Sequence, residues 1–313
     1  MSAASIPPDP SLRNSTDNPT GNAAGLLVVI VNWERPGDTI QCIRSLQRAA
    51  QGVEQPVRIL VVDNGSQDGS VEKIRENCSQ VELLALSHNQ GFAGGYNAGI
   101  QRGLETGAGA FFLLNNDTVV EPGALGILAR ASWDVAVPKI LYYDQPERIW
   151  AAGARWRSFP PSVVMRGYRK MDGPQYEVPT SLEYATGCAL MVRRQVLESV
   201  GGFDPDFENY MEDYDFSYRV RAAGFTMGYA PSARILHKVS QTLGALSPER
   251  WRYQGRNTVR FYRKEDRFPA LTLWSFLAWF FLRETLKGQT AHLPAFWAGV
   301  RQGLQQMKQA SGR

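Results

Sequence analysis

Short apolar runs alternate with helical patterns from residue 26 to about residue 145, and this alternation constrains the fold more than any other feature of the chain. The first run, residues 26–33 (LLVVIVNW), is β-branched and unbroken, as in a strand that is buried on both faces. Such alternation predicts a parallel sheet with helices on both faces, because parallel neighbours are joined by crossover helices. The predicted strands are 26–33, 57–62, 81–86, 110–114 and 135–141, and the predicted helices are 37–50, 71–77, 93–106 and one from Pro122.

The alternation weakens after about residue 145. Residues 149–157 and 163–170 have strand-like composition, and residues 184–192 contain a further apolar run. A helix is predicted from about Met211 to Ala223, because Gly224 is a natural residue to end it. We therefore predict an α/β domain over 25–245, with halves of about 25–145 and 146–245, then a basic, aromatic-rich helical region over 246–313. Residues 1–24 have the composition of a disordered tail and lack the apolar core of a signal peptide.

Composition and charge narrow the class of protein. The 313 residues are 43% hydrophobic and 20% charged, which is typical of a globular protein. Three scattered cysteines argue against a disulfide framework and a structural zinc site, and they favour the cytoplasm. Residues 245–313 hold 12 Lys and Arg against 4 Asp and Glu, whereas the net charge of the whole chain is only +4. This asymmetry suggests an anionic partner, either a membrane surface or a nucleic acid.

Polar loops follow the predicted strands at residues 32–34, 63–66, 88–95 and 115–118. Ligands of parallel sheets bind at the carboxyl ends of the strands, so we expect the chemistry in these loops. Asp117 is well placed to bind Mg²⁺ or Mn²⁺, although a plain turn that closes the strand is an equal alternative. The loop at 88–99 is rich in glycine and suits phosphate, but it is a weak dinucleotide fingerprint and a tight turn explains it as well.

Acidic residues cluster at the start of the helix predicted from Met211. Asp215 and Arg219 are four residues apart and can form a structural pair on that helix. Glu212 and Asp213 have no such partner and are candidates for a carboxylate that removes a proton, although capping of the helix is the alternative for part of the cluster. His237 follows an apolar segment and is either structural or a ligand.

Seven motifs in order resemble the family 2 glycosyltransferases of the GT-A fold, and they are most similar to the bacterial rhamnosyltransferase-like branch. The resemblance covers about residues 26–264. The motifs are VVIVNW (28–33), VVDNGSQDGS (61–70), NQGFAGGYNAGI (89–100), LLNNDT (113–118), TGCALMVRRQVLESVGGFD (186–204), EDYDFSYRVRAAG (212–224) and HKVSQTLG (237–244).

The resemblance implies a Rossmann-like, mostly parallel sheet with helices on both faces, a nucleotide-binding first half and an acceptor-side second half. It implies a metal site of Asp117 and His237 for Mg²⁺ or Mn²⁺, with Asp213 as the catalytic base beside Glu212. Asn115 stands where the family has the first Asp of its Asp-x-Asp motif, which removes one negative charge. The residues implied for the nucleotide are Asn32, Trp33, Asp63, which would hydrogen-bond the pyrimidine, Asn89, Gly91, Asn97, Asn115 and Asn116.

The implied activity is inverting, metal-dependent glycosyl transfer. The cation would stabilise the diphosphate that leaves, while the base takes the proton of the attacking hydroxyl. The expected donor is dTDP-L-rhamnose, with a UDP-sugar as the alternative, and the expected acceptor is a glycan or a lipid-linked glycan. An NAD(P)-dependent dehydrogenase would lack its glycine fingerprint after the first strand, and a non-catalytic sugar-nucleotide binder would not need the base and metal ligands. No recognised module supports nucleic-acid binding.

An apolar stretch of 15 residues, 268–282, lies in the basic C-terminal region. It is shorter than the roughly 20 residues that cross a bilayer. Cations flank it, so one interpretation is peripheral membrane contact through 250–287, at the inner face of the cell membrane. The alternative is a helix packed on the catalytic domain or in a homodimer interface, which Trp274, Phe276, Trp279 and Phe280 would fill. The flanking cations are Arg256, Arg260, Arg263, Lys264, Arg267, Arg283 and Lys287.

Overall fold

The computed structural model describes residues 25–157, 159, 162–239, 247–265 and 269–311, so the predicted tail at 1–24 lies outside the described residues. The strands are β1 Leu26–Asn32, β2 Val57–Asp63, β3 Glu82–Ala85, β4 Ala110–Asn115, β5 Thr118–Val120, β6 Val135–Tyr142, β7 Ile149–Ala151, β8 Ala154–Arg157, β9 Ser162–Met165, β10 Thr180–Ser181, β11 Ala189–Arg193 and β12 Met227–His237. The helices are α1 Pro36–Ala49, α2 Ser70–Asn77, α3 Gly91–Glu105, α4 Ala124–Arg130, α5 Arg194–Val200, α6 Glu212–Ala222, α7 Pro248–Glu265, α8 Pro269–Leu286 and α9 Leu293–Ser311.

The main sheet has the order β10-β12-β6-β11-β4-β1-β2-β3, with β5 paired to β12 and β7 paired to β6. The strands β3, β2, β1, β4, β6 and β12 run in one direction, and β11 runs against its two neighbours. The predicted mixed α/β fold with a mostly parallel sheet and C-terminal helices is confirmed. The sheet places the carboxyl ends of β1, β2, β4 and β12 along the same edge.

Each face of the sheet has its own apolar core. Along β1, Leu27 and Val29 pack on one face with residues of α3, α5 and α6. On the other face, Val28 and Ile30 pack with residues of α1, α2 and α4. This alternation explains why the strand reads as one continuous apolar run, because both of its faces are covered.

Several predicted bounds differ from the structure in the second half of the domain. The strand-like stretch at 149–157 is divided into β7 and β8 by Gly153, which has a φ of +79°. The stretch at 163–170 is a strand only to Met165, because the chain turns at Gly167, with a φ of +75°. The apolar run at 184–192 becomes β11 only from Ala189 onward. Composition alone did not locate these turns.

The C-terminal helices form a third apolar cluster. Val259, Leu277 and Phe296 represent α7, α8 and α9 in this cluster, and Phe207 of the catalytic domain belongs to it. Trp156 of β8 packs against its edge. The helices therefore rest on the catalytic domain.

Candidate active site

A chain of hydrogen bonds joins polar side chains at the ends of three strands. The register of β1 and β2 places Asn32 beside Asp63, and Nδ2 of Asn32 donates to Oδ1 of Asp63 at 2.7 Å. Thr39 of α1 donates to Oδ1 of Asn32 at 2.6 Å and accepts from Nδ2 of Asn116 at 3.0 Å. Trp33 directly follows Asn32 and is half-buried. Asn32, Asp63 and Asn116, three residues predicted to bind the nucleotide, thus belong to one hydrogen-bond network, in which Asn32 and Asp63 are fully buried.

Asn64 holds the loop after β3 against the loop after β2. Its Nδ2 donates to Oδ1 of Asn89 and to the carbonyl of Gly91, both at 3.0 Å. Asn89 also accepts the N–H of Gly91 at 2.8 Å. Gly91 has a φ of +72°, and a Cβ atom there would lie 2.9 Å from the carbonyl oxygen of Glu208. Glycine is needed for this close approach between the start of α3 and the loop before α6.

Asp117 and His237 form a buried pair at the same edge of the sheet. Nε2 of His237 lies 3.2 Å from Oδ2 of Asp117. The imidazole ring meets the indole of Trp150 edge-on, with the centroids 4.6 Å apart. Burial lowers the pKa of His237, but the Cys188 sulfur and the hydrogen bond to Asp117 outweigh burial and raise this pKa to about 10.

This pair fits a divalent cation once His237 is neutral, because a bound cation would take the place of the proton on Nε2. Adjacent ligands of an octahedral ion lie about 3 Å apart when metal–ligand distances are roughly 2.1 Å, and the two donor atoms are 3.2 Å apart. A carboxylate oxygen and an imidazole nitrogen are both common ligands of divalent ions. Within the described ranges, no group of three or more His, Cys, Asp and Glu side chains forms a metal site. Asp117 and His237 would therefore share the ion with oxygen atoms of a bound ligand or of water.

One short segment before β11 links the strand end near Asp117 to the predicted base. The carbonyl of Cys188 accepts the N–H of Asn115 at 2.9 Å, two residues before Asp117. The N–H of the preceding residue, Gly187, donates to Oδ2 of Asp213 at 3.1 Å. The segment thus fixes the predicted base relative to the strand end that carries Asn115.

Glu212 and Asp213 share the first turn of α6 but differ in environment. Asp213 is half-buried, and its Oδ2 accepts from the hydroxyl of Tyr184 and from the N–H of Gly187. Burial raises the pKa of Asp213, while these two hydrogen bonds oppose the rise. Glu212 is buried, and its Oε2 has no hydrogen-bond partner in the described part of the chain. Burial and the neighbouring Asp213 raise the pKa of Glu212 well above its ordinary range, which makes Asp213 the better candidate base.

The loop before α6 has a strained backbone. Glu208, Tyr210 and Met211 have φ values of 56°, 67° and 70°, which non-glycine residues rarely adopt. Asn257 of α7 is fully buried beneath this loop. Its Nδ2 lies within hydrogen-bond distance of three carbonyl oxygens, those of Phe207 at 2.7 Å, Asn209 at 2.8 Å and Tyr210 at 2.8 Å. The C-terminal helices therefore help to hold the turn that carries Asp213.

Two other predicted residues have structural contacts. The amide of Asn97 donates to the carbonyl of Phe203 at 2.7 Å and accepts its N–H at 2.9 Å. The structure does not bring Asn97 to the hydrogen-bond network of Asn32 and Asp63, because both of its amide atoms tie α3 to the loop before α6. Asp215 is buried, and its carboxylate contacts Arg219 at 2.7 Å and Lys264 at 2.6 Å, which agrees with the predicted structural pair.

The sequence profile of glycosyl transferase family 2 matches residues 27–201, which is more than half of the chain. The chain belongs to this family. It is 29% identical to the N-acetylglucosaminyl-diphospho-decaprenol L-rhamnosyltransferase of Mycobacterium tuberculosis over 244 residues, 70% of this chain and 78% of that protein. It is also 24% identical over 298 residues to the low-salt glycan biosynthesis hexosyltransferase Agl10 of Haloferax volcanii, covering 90% and 91% of the two chains. The predicted family and enzyme class are confirmed, and the protein is a glycosyltransferase.

Solved structures share the fold of this family 2 enzyme. GalNAc-T7 with UDP, GalNAc and Mn²⁺ aligns with a TM-score of 0.56 and 18% identity, over 88% of this chain and 59% of that chain. This chain thus spans less than two thirds of GalNAc-T7. The mannosyltransferase PcManGT from Pyrobaculum calidifontis, in complex with GDP-Man and Mn²⁺, aligns with a TM-score of 0.56 and 13% identity, over 92% and 88% of the two chains. A profile of glycosyl transferase family 21 also matches residues 177–308.

Sequence reasoning missed three residues that contact the candidate site. Thr39 lies inside an amphipathic helix, where it reads as an ordinary polar position. Tyr184 contacts the first turn of α6 from 29 residues away along the chain. Asn257 contacts the loop before α6 from 50 residues away. None of the three has a local signal, because their contacts form only after the sheet and the C-terminal helices have packed.

Proposed function

We propose that the protein is an inverting, metal-dependent glycosyltransferase that moves L-rhamnose from dTDP-rhamnose to a hydroxyl of a glycan or a lipid-linked glycan. The observation that carries this proposal is the link through residues 187 and 188. Support comes from the contacts at its two ends: Gly187 donates to the carboxylate of Asp213, and Cys188 accepts from Asn115, two residues before the buried Asp117–His237 pair. Single-displacement transfer needs a base for the acceptor and stabilisation of the leaving diphosphate.

Each part of the site has one task in this proposal. Asp213 accepts the proton of the acceptor hydroxyl, and its hydrogen bonds to Tyr184 and Gly187 keep the carboxylate oriented for that transfer. Asp117 and His237 would hold Mg²⁺ or Mn²⁺, which when bound supplies positive charge to a diphosphate. Asn32 and Asp63 are buried and hold the loops after β1 and β2, where the base end of the nucleotide would bind; Asp63 does so by accepting the N–H of Ser66 at 2.9 Å.

The donor and acceptor rest on the relatives. The Mycobacterium tuberculosis relative is an L-rhamnosyltransferase named for a decaprenol-linked N-acetylglucosaminyl diphosphate. The second candidate donor is a UDP-sugar, because UDP occupies the solved structure of GalNAc-T7. A dehydrogenase is not proposed, because the family profile and both solved structures are those of glycosyltransferases.

A panel of nucleotide sugars, tested with the purified protein, examines the proposal directly. We expect dTDP release from dTDP-rhamnose when Mn²⁺ or Mg²⁺ is present, and its loss in excess EDTA. Release of UDP instead would move the donor to the alternative class, and full activity in EDTA would contradict the metal-dependent mechanism.

The outer face of α8 supports the predicted peripheral contact with a membrane. Leu271, Trp274, Leu282 and Leu286 are 74%, 49%, 60% and 78% exposed. At about 100° per residue they form one stripe, opposite the buried residues Leu273, Leu277, Phe280 and Glu284. Among the described residues, no helix has both the length and the apolar character to span a bilayer. The stripe would therefore lie in the surface of an anionic bilayer, to which the basic C-terminal region is complementary in charge.

Co-sedimentation with vesicles tests this contact. We expect binding to phosphatidylglycerol-containing vesicles that weakens as salt increases. Leu282→Glu is expected to weaken vesicle binding about tenfold, because the variant loses the burial of a leucine side chain in the bilayer surface, and a tenfold change corresponds to about 1.4 kcal/mol. The matched control Val178→Glu changes a residue of the catalytic domain that is 59% exposed, and its binding should stay unchanged. No binding at low salt would contradict the proposal, and a dimer in light scattering would then assign the stripe to a second copy.

A further inference from the structure

A pocket of about 240 Å³ lies between α6, α7 and the β8–β9 hairpin. The hairpin register places Trp156 opposite Val163, and both side chains line this pocket. Five further aromatic rings, from Tyr184, α6 and α7, complete most of the wall. The pocket is therefore a cleft with flat, apolar walls, the kind of cavity that binds small molecules.

The pocket adjoins the predicted base. Tyr184 lines the pocket with its ring, while its hydroxyl donates to Oδ2 of Asp213. Tyr214, the next residue after Asp213, lines the pocket as well. The strand-end residues Asn32 and Asp63 do not line it. Asp213 itself does not line the pocket, so a molecule there is separated from the predicted base by the ring of Tyr184 and is apart from Asn32 and Asp63. An acceptor that extends past this ring would bring its hydroxyl to the base.

The chemistry of the wall favours a sugar ring over an alkyl chain. Its polar groups include Glu183 and Arg221, which form an ion pair at 3.3 Å, with side chains 37% and 43% exposed. A hydrocarbon chain offers no hydrogen-bonding group to this pair. A saturated sugar ring has an apolar C–H face for the aromatic walls and hydroxyl groups for the ion pair.

We propose that this pocket binds one sugar ring of the acceptor, with its C–H face against Trp156 and its hydroxyl groups toward Glu183 and Arg221. The inference rests on the proposed glycosyl transfer and adds to it the pocket that binds the acceptor sugar. The acceptor has a sugar ring at or next to the hydroxyl that reacts. A purely lipid alcohol is excluded by this assignment.

A pair of adjacent substitutions tests the pocket. Val163→Phe fills it from β9, whereas Val164→Phe adds the same ring on the opposite, exposed side of the strand, where Val164 is 46% exposed. The probes are the methyl glycosides of N-acetylglucosamine, rhamnose, galactose and mannose, with geraniol as the lipid probe, observed by saturation-transfer NMR. We expect at least one glycoside to bind the wild-type protein, and we expect Val163→Phe to weaken that binding at least tenfold while Val164→Phe leaves it unchanged.

Trp156→Leu is the second variant, because it removes a wall instead of filling the pocket, and it should weaken the same glycoside. Three results would overturn the proposal. In the first, Val163→Phe leaves the binding of every glycoside unchanged; in the second, no glycoside binds the wild type; in the third, only geraniol binds. Nucleotide-sugar binding in the presence of Mn²⁺ is measured on the same samples and should be unchanged in all three variants. Its absence in the wild type would refute the proposed function, whereas the glycoside result stands independently.

Discussion

Replacement of Tyr184 by Phe tests the assignment of the base through its pKa. The hydroxyl of Tyr184 donates to the Asp213 carboxylate, and this hydrogen bond opposes the rise in the pKa of Asp213 that burial causes. Phe keeps the ring that lines the pocket and removes only the donor. The charged form of Asp213 is then less stable, so its pKa rises. Because a base acts in its deprotonated form, the acidic limb of the pH–rate profile moves to higher pH.

The structure sets the size of this shift. A hydrogen bond to a charged group contributes about 1.5–3 kcal/mol, and one pKa unit corresponds to about 1.4 kcal/mol, so complete loss would shift the limb by about one to two units. The N–H of Gly187 still donates to the same oxygen. We therefore expect the lower value, about one unit. Below the wild-type pKa, this lowers kcat about tenfold, and at pH values well above both pKa values kcat is nearly restored.

The assay is kcat against pH at saturating donor, acceptor and Mn²⁺. The control variant is Tyr229→Phe. It leaves unchanged the residues that interact with Asp213, which include Glu212, Tyr184 and Cys188. This control loses a buried tyrosine hydrogen bond of 3.0 Å, to the carbonyl of Tyr176, away from the base. Its acidic limb should not move. A uniform fall in kcat for Tyr184→Phe, with an unmoved limb, would show that Tyr184 does not act on the base and would refute the reasoning.

Four further outcomes are expected. Asp213→Asn should keep nucleotide binding and lower turnover at least about 100-fold; near-full activity, together with loss of activity in Glu212→Gln, would assign the base to the other carboxylate. His237→Ala should remove the part of nucleotide-sugar binding that depends on Mn²⁺, measured by calorimetry with and without EDTA, and leave the EDTA value unchanged. Gly91→Ala should lower kcat and the melting temperature, because the new Cβ meets the Glu208 carbonyl at 2.9 Å; wild-type values of both would show that the loop before α6 adapts. Asn257→Leu should lower the free energy of unfolding, measured with urea, by about 1–3 kcal/mol, because the buried carbonyl groups of the loop before α6 lose their donor. Unchanged stability would show that Asn257 does not hold this loop.

The sequence was sufficient to predict that polar residues at the strand ends lie together, for a physical reason. The carboxyl ends of parallel neighbours meet at one edge, so Asn32 and Asp63 had to lie side by side once β1 and β2 were recognised. The antiparallel β11 between β4 and β6 could not be predicted, because an apolar run does not record its direction. Asn97 was assigned to the nucleotide for its place in a motif, whereas its contacts depend on where Phe203 packs.

The position of the predicted base depends in part on residues outside the seven motifs, such as Glu208 and Asn257. The family 2 profile ends at residue 201, before Asp213 and His237. The strained turn that leads into Asp213 is held from one side by α3, where the N–H of Ala93 donates to the Glu208 carbonyl at 3.2 Å. Asn257 of α7 holds it from the other side. Strained backbone persists only where its surroundings determine it, so the C-terminal helices belong to the site, although sequence composition marks them as a separate region.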